Sequence, residues 1–136
     1  NGKLLIIYIP AQILGCLLGV MLANVFFEHD ILELSTKNRD GFHIFLSEII
    51  ATFGLIFIIF ATQKDGKITI AASVATYIMA GYWFTSSTSF ANPAVAIART
   101  FTDSFTGINY LNTPTYILAE FLGALIAVYF IKKLIK

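Results

Sequence analysis

The chain has 136 residues, of which 57% are hydrophobic and 12% are charged, with a formal net charge of +1 and a mean hydropathy of +0.79. Soluble domains are nearer to about 45–50% apolar, so a water-soluble helical bundle is the less favoured interpretation. The near-neutral charge gives no footprint for nucleic acid, and we expect no nucleic-acid partner.

Four apolar segments are long enough to cross a membrane as helices, since about 20 residues span roughly 30 Å of hydrocarbon. They cover residues 4–27, 43–62, 68–85 and 115–131. Pro10 lies inside the first span, as membrane bundles tolerate. Cys16 is the single cysteine and is expected to be a packing residue of that span. A polar loop over 28–42 and a turn at Asp65-Gly66 separate the first three spans.

The stretch after the third span predicts a helix that does not cross the membrane. The hydroxyl-rich residues 85–89 favour irregular backbone. Asn92 is then the predicted N-cap, with Pro93 at the first helical position. The helix is expected to extend to about Phe105, which gives about 13 residues and roughly 20 Å. Irregular backbone at membrane depth is tolerated only inside protein or along a wet cavity, so this re-entrant half helix is expected to have a function at its buried end.

The lysine distribution predicts the orientation. Six of the nine basic residues fall on one predicted side, together with the single acid Asp65, whereas five acids fall on the other. The positive-inside rule therefore places both chain ends in the cytoplasm and the loop before Asn92 on the outer side. The opposite orientation is the alternative, and it would require another feature to outweigh this distribution of charge. The six residues are Lys3, Lys64, Lys67, Lys132, Lys133 and Lys136.

Two segments of the chain resemble each other. Residues 8–17 and 116–125 share Tyr, Ile, Ala, Leu, Gly and Leu in register. Because the lysine count directs the first helix outward and the last inward, the similarity indicates an inverted-topology repeat. Chance similarity between two apolar helices is the alternative.

The box Asn92-Pro93-Ala94 follows one membrane helix, opens a half helix and precedes another span. In this context it resembles the second signature loop of the aquaporin (major intrinsic protein) family, and the resemblance covers essentially the whole chain. It implies an all-α membrane protein with an inverted-repeat helical bundle, of which this chain holds four transmembrane helices and one re-entrant half helix. Residues 1–42 would be the last helix of the first repeat with its outer loop, and 43–136 the complete second repeat, within one partial domain.

The resemblance also implies a function. A family member would be a passive channel for small neutral solutes such as water, glycerol-like polyols and, in some bacterial members, arsenite. It would have no cofactor and would form a homotetramer in a bacterial or archaeal plasma membrane. The alternative is a half-channel fragment that does not conduct by itself and works only as part of the full-length protein.

Asn92 is the first candidate pore residue. A helix N-terminus presents unpaired N–H groups and about half a positive charge. The Asn92 amide can also donate a hydrogen bond to the oxygen of a passing solute. The alternative is that Asn92 only caps the helix, and the two roles are compatible.

Val95 is where the chain departs from the family. Water- and glycerol-conducting aquaporins usually carry Arg directly after the box, and similar bacterial members without it are associated with arsenical resistance. Val95 predicts a wider and more apolar constriction. Arg99 lies one turn further on the same helix face. It either supplies a positive charge to the vestibule or extends outward and pairs with Asp103 at i+4.

Other candidates come from neighbouring positions. An ungapped match to the family places the helix-borne filter residue near Ala80 or Gly81. The irregular backbone predicts a ladder of carbonyl acceptors along the pore, as such backbone forms when it lines a cavity. The carbonyls belong to Ser87, Thr88, Ser89 and Phe90.

Glu48 and Glu120 are ionisable residues within apolar spans, and such residues face the bundle interior with partners. The resemblance suggests that Glu48 accepts backbone N–H groups of the re-entrant loop. Glu120, and Gln12 at the matching position of the repeat, are predicted as further structural loop anchors. The alternative is a protonated Glu bonded between helices.

An intramembrane enzyme would need a nucleophile with an activating base, and no His or Lys is placed to activate the Ser and Thr residues. His29 and His43 flank the outer loop and are predicted to be solvated surface residues rather than metal ligands. The sequence therefore predicts a channel and not an enzyme, with no metal site.

Overall fold

The computed structural model describes residues 2–134, apart from the side chain of Lys3. This part of the chain contains no strand. Lys136 and the Lys3 side chain, both used to predict the orientation, lie outside the described residues. The helices are α1 (Gly2–Phe26), α2 (Phe42–Thr62), α3 (Lys67–Phe84), α4 (Pro93–Ala98) and α5 (Thr113–Leu134), with a 3₁₀ turn at Arg99–Phe101 between α4 and α5.

Three of the described helices are long and apolar enough to cross a membrane, which makes this an integral membrane protein. They cover Leu4–Phe26, Phe42–Thr62 and Thr113–Leu134. α3 has 18 residues and begins with the charged Lys67, and it is not one of the helices that are long and apolar enough to cross a membrane. Its status as a fourth span therefore stays a prediction.

The chain forms two compact units, and the first contains Asn1–Arg39 and Asn92–Pro114. In this unit α1 packs against α4 and the 3₁₀ turn. The contact surface of α1 is narrow, because Val20 and Asn24, one turn apart, are its buried residues. α4 buries three alanines, whose small side chains allow helices to approach closely. Most of the other large apolar side chains of α1 are exposed, as expected of a membrane helix.

The second unit contains Asp40–Ala91 and Thr115–Lys136. Here α2 and α3 pack through Tyr77, whose hydroxyl donates to the Ala51 carbonyl at 3.1 Å. Gly54 allows this contact, since a Cβ there would overlap the Tyr77 hydroxyl. α5 approaches α2 at Gly123, where a Cβ would overlap the Ile49 carbonyl oxygen.

The half helix is shorter than the predicted stretch to about Phe105, and that boundary was wrong. α4 has six residues and the 3₁₀ turn adds three, after which Thr102 is extended at φ −149°. The helix stops because the carbonyls of its last turn accept hydrogen bonds from elsewhere in the first unit. The Ser35 N–H donates to Thr100 at 2.9 Å, and the Ile108 N–H donates to Arg99 at 3.1 Å.

The polar loop after α1 also has more order than its sequence predicts. Its residues 29–39, here called the strap, lie along the segment that follows α4. The Asn109 N–H donates to the Lys37 carbonyl at 2.8 Å, and the Arg39 N–H donates to Asn112 Oδ1 at 3.0 Å. Residues more than 70 positions apart in sequence are thereby held together, and the segment after α4 is fixed at two points.

Candidate pore-lining residues

Asn92 is the N-cap of α4. Its backbone is extended at φ −158° and ψ 119°, and its Oδ1 accepts the Ala94 N–H at 3.0 Å. Pro93 occupies the first helical position, where no N–H is needed. Because the cap uses the side-chain oxygen, donation to a solute would use the other end of the amide, Nδ2. The geometry is compatible with both roles predicted for Asn92.

Val95 and Arg99 lie one turn apart and line the same cavity of about 220 Å³ in the first unit. Most of its lining is small or apolar, and Arg99 supplies the charge. A cavity of this volume is large compared with a single water molecule, which occupies about 30 Å³ in the liquid. The lining consists of Cys16, Gly19, Val20, Ala23, Val95, Ala98 and Arg99.

One of the two alternatives for Arg99 predicted an ion pair with Asp103. The structure does not show this pair. The Asp103 carboxylate instead accepts the Thr36 N–H at 2.9 Å, the Thr36 hydroxyl at 3.1 Å and the Ser35 hydroxyl at 3.3 Å. The backbone N–H of Thr36 lowers the pKa of Asp103 most; burial opposes this, and the two hydroxyls and the charge of Lys37 lower the pKa further. Asp103 therefore belongs to the attachment of the strap.

The loop that leads to Asn92 lies in the second unit and is mostly buried. Three of its residues adopt left-handed backbone without being glycine, namely Thr88 at φ 67°, Ser89 at φ 52° and Ala91 at φ 50°. Such conformations cost about 1–3 kcal/mol each and persist only where the surroundings hold them. No glycine or asparagine between residues 85 and 91 marks this geometry in the sequence.

Glu48 holds this loop from α2. It is completely buried, and its Oε1 and Oε2 accept the N–H groups of Phe90 and Ala91, both at 2.9 Å. The Phe90 ring also packs against Tyr116, with centroids 5.0 Å apart. These are the hydrogen bonds that an anchoring role requires, and the role itself stays a prediction that a substitution can test.

A second attachment of the loop was missed by sequence reasoning. The Ser86 and Ser47 hydroxyls are 2.9 Å apart, and the Ser86 hydroxyl donates to the His43 carbonyl at 3.3 Å. Ser47 directly precedes Glu48, so two successive residues of α2 contact the loop. Serines are common in such sequences, and nothing in this pattern singles these two out.

The two candidate filter positions of α3 differ in the structure. Ala80 is exposed, whereas Gly81 is buried against the loop. A Cβ on Gly81 would lie 2.5 Å from Ser89 Oγ and 2.8 Å from Ser89 Cβ. The small size of Gly81 therefore makes room for Ser89, and the filter assignment stays a prediction for both positions.

The carbonyl ladder and the remaining anchors also stay predictions. The Ser87 carbonyl accepts the Thr88 hydroxyl at 2.6 Å, and the Ser89 N–H donates to the Ser87 hydroxyl at 3.3 Å. Glu120 is 1% exposed on α5. Gln12 is exposed on α1 and makes no hydrogen bond within the described part of the chain.

His29 is paired within the strap, since its Nδ1 lies 2.9 Å from Glu33 Oε2. Among residues 2–134, no three His, Cys, Asp or Glu side chains are grouped as metal ligands would be.

The long apolar helices, together with a buried loop and a capped, very short helix that follows it in sequence, indicate a helical membrane protein. Over 120 residues the chain is 45% identical to Aquaglyceroporin AqpS from Rhizobium meliloti (strain 1021). The match covers 88% of this chain and 52% of that protein, so the chain spans about half the length of this relative. No family model and no solved structure matches the chain. Over most of its length the chain is therefore similar to a member of the aquaporin (major intrinsic protein) family.

Proposed function

We propose that the chain forms part of a passive transmembrane channel for small neutral solutes, namely water, glycerol-like polyols and metalloid hydroxides such as arsenite. The observation that carries the proposal is the capped turn at Asn92 and Pro93. There a helix too short to span a bilayer begins within a chain of membrane-length helices. Such a half-buried helix start can offer N–H and amide donors to an uncharged, oxygen-rich solute.

The cavity at Val95 supports the broader solute class. An Arg at this position would fill part of the cavity and add donors, whereas Val leaves the lining apolar except for Arg99. Glycerol and arsenous acid are similar in size and both display hydroxyl groups on a compact body. The similarity to a protein named an aquaglyceroporin agrees with this class.

The complete channel is proposed to need more than these residues. With about half the length of its relative, the chain would be the last helix of one repeat and the whole of an inverted second repeat. The full-length protein would form a homotetramer in a bacterial or archaeal plasma membrane, with the ends of this chain in the cytoplasm. As an isolated fragment the chain would not conduct.

The experiment is solute flux in proteoliposomes that hold the full-length protein, with water, glycerol and arsenite measured by stopped flow. The test variant Asn92→Asp keeps the capping oxygen and removes the amide donors. We expect it to fold and to lose glycerol flux by about tenfold, as the loss of one hydrogen-bond donor to the solute predicts.

The matched control is Asn109→Asp. Asn109 caps its own turn in the same way, since its Oδ1 accepts the Leu111 N–H at 2.9 Å. The control should conduct normally, and each solute should be recovered chemically unchanged. Wild-type vesicles without flux above the lipid background would refute the channel, and equal losses in both variants would refute the role of Asn92.

A further inference from the structure

Asn24 connects three parts of the first unit. It lies near the end of α1 and is 2% exposed. Its Nδ2 donates to the Phe101 carbonyl of the 3₁₀ turn at 3.0 Å and to the Ile31 carbonyl of the strap at 3.3 Å. Its own carbonyl accepts the His29 N–H at 2.9 Å, just after the helix ends. One buried residue thus joins α1, the strap and the end of the half helix.

The last carbonyl groups of the half helix and its 3₁₀ turn are hydrogen-bonded by donors that lie outside them. The last carbonyls of a helix have no partner within it and must be satisfied elsewhere. In this chain the Arg99 carbonyl accepts from the Ile108 N–H and the Thr100 carbonyl from the Ser35 N–H. The Phe101 carbonyl accepts from the Asn24 side chain at 3.0 Å and, at the longer distance of 3.5 Å, from the Glu33 N–H. The position of the 3₁₀ turn is therefore set by groups outside the turn.

The turn begins at Arg99, the charged residue of the cavity that also contains Val95. A shift of the turn moves the backbone from which the Arg99 side chain extends. We propose that Asn24 is a positioning residue for solute selection, because its amide fixes the 3₁₀ turn and thereby the place of Arg99 in the cavity. The inference rests on the proposed channel function, which it deepens by naming what holds the charged group of the cavity.

Asn fits this position chemically. A carboxamide has two N–H donors on one nitrogen, and two carbonyl oxygens lie within reach here. Leu has a similar size but no donor, whereas Gln keeps the amide on a stem longer by one carbon. The variants Asn24→Leu and Asn24→Gln therefore separate the hydrogen bonds from the packing.

The first test measures the ratio of glycerol to water permeability for the full-length protein in proteoliposomes. Asn24→Leu should lower this ratio by about three- to tenfold, because a polyol has several hydroxyl groups to be hydrogen-bonded on passage, whereas water has a single oxygen. Asn24→Gln should restore most of it. In an Arg99→Ala background, Asn24→Leu should have no further effect on the ratio, since coupled residues are not additive. Equal losses of water and glycerol in Asn24→Leu, or an additive effect in that background, would overturn the inference.

The matched control is Asn112→Leu. It makes the same chemical change at a second buried Asn of this unit and removes the acceptor of the Arg39 N–H, but no hydrogen bond to the 3₁₀ turn. Its permeability ratio should stay that of the wild type, and a ratio lowered as far as in Asn24→Leu would overturn the inference.

If Asn24→Leu does not fold, Asn24→Ser replaces it, since Ser is tolerated in membrane helices but cannot reach both carbonyls. The same shift is then expected, and an unchanged ratio refutes the positioning role.

A second readout does not depend on flux. Cys16 and Arg99 line the same cavity, so the thiol can report the position of the charge. In full-length protein with all other cysteines replaced by serine, Cys16 is modified with an anionic and a cationic methanethiosulfonate. Asn24→Leu should lower the anionic-to-cationic rate ratio by about three- to fivefold, the effect of moving one charge away in water. An unchanged ratio would refute the positioning role even if the channel conducts, whereas wild-type vesicles without flux would refute the proposed function and leave this readout valid.

Discussion

The carboxylate of Glu48 accepts the backbone N–H of Phe90 at 2.9 Å, with Glu48 fully buried and Phe90 7% exposed. The other carboxylate oxygen accepts the N–H of Ala91, a residue with left-handed backbone. Hydrogen bonds to a charged acceptor are about twice as strong as neutral ones. One acid in an apolar helix therefore holds the two residues that immediately precede Asn92.

The first prediction concerns Glu48→Ala in the full-length protein. The variant leaves two buried N–H groups without an acceptor, which costs about 1–3 kcal/mol for each. We expect loss of folded channel rather than altered selectivity, as measured by the yield of monodisperse protein and by its melting temperature. Glu48→Gln should be intermediate, because its single carbonyl oxygen can accept one of the two N–H groups. Normal stability and normal flux in Glu48→Ala would rule out the anchoring role.

The second prediction concerns two glycines that face close neighbours in the second unit. Gly81→Ala places a methyl group against Ser89, and Gly123→Ala places one against the Ile49 carbonyl. Overpacking of this kind costs about 1–3 kcal/mol, so both variants should melt at lower temperature than the wild type.

Gly15→Ala is the control for these variants, since within the described residues nothing lies within 4 Å of its added Cβ. Gly15 lies four residues before Gly19, and small residues at this spacing allow a neighbouring helix to approach closely. An equally large loss of stability in Gly15→Ala of the full-length protein would mean that another segment occupies that surface. No loss in Gly81→Ala or Gly123→Ala would contradict the packing described for the second unit.

Length and apolar composition predicted the helices well, and the dipeptide Asn92-Pro93 located the start of α4. A single acid in an apolar span also drew attention to Glu48, whose two carboxylate oxygens accept N–H groups of the loop. These features are local, because a helix start or an apolar run depends on residues that are close in sequence.

The features that sequence reasoning missed depend on distant partners. The half helix ends early because Ser35 and Asn24, more than 60 residues away in sequence, satisfy its carbonyls. The left-handed backbone at Thr88 and Ser89 has no local signal, because β-branched and ordinary residues adopt it only when the surroundings impose it. The order of the strap likewise comes from its contacts with the segment after α4.

The third prediction concerns Val95→Arg in the full-length protein. The longer side chain should narrow the cavity of about 220 Å³ and bring a second guanidinium close to Arg99. We expect glycerol and arsenite fluxes to fall more than water flux, as measured by stopped flow on the same vesicles. Val95→Met separates size from charge, because it fills space without adding donors. Equal losses for water and solutes, or no loss, would mean that residue 95 does not set the width of the pathway.

The fourth prediction is a pH dependence that arises from Asp103. Its pKa in the folded protein is lowered from the ordinary value of 3.8, chiefly by the Thr36 N–H. The carboxylate therefore stabilises the fold above pH 3.8, and this contribution is lost as the pH falls through 3.8 toward the folded pKa.

The measurement is the melting temperature of wild type and Asp103→Asn between pH 3 and pH 8. The difference between them should be constant above about pH 5 and should shrink at lower pH. A difference that grows on acidification would contradict the assigned sign, and no difference at any pH would show that the charge of Asp103 does not hold the strap.

The fifth prediction concerns the 136 residues alone. If half of the channel wall is missing, no closed path shields a solute from lipid. Liposomes that contain this chain should show only background permeability to water and glycerol, whereas the full-length protein in the same lipid conducts. Selective flux through the short chain would refute the fragment interpretation.

The contact between Glu48 and Phe90 also has a consequence for biosynthesis. Glu48 precedes Phe90 by 42 positions, so a ribosome that adds about 5–20 residues per second makes the acid roughly 2–8 s before the loop. During this interval a nascent helix carries a carboxyl group into the translocon without the N–H groups that will bind it. A chain that terminates between these two residues would keep the acid and never acquire its partners, and it should therefore integrate poorly and be degraded early.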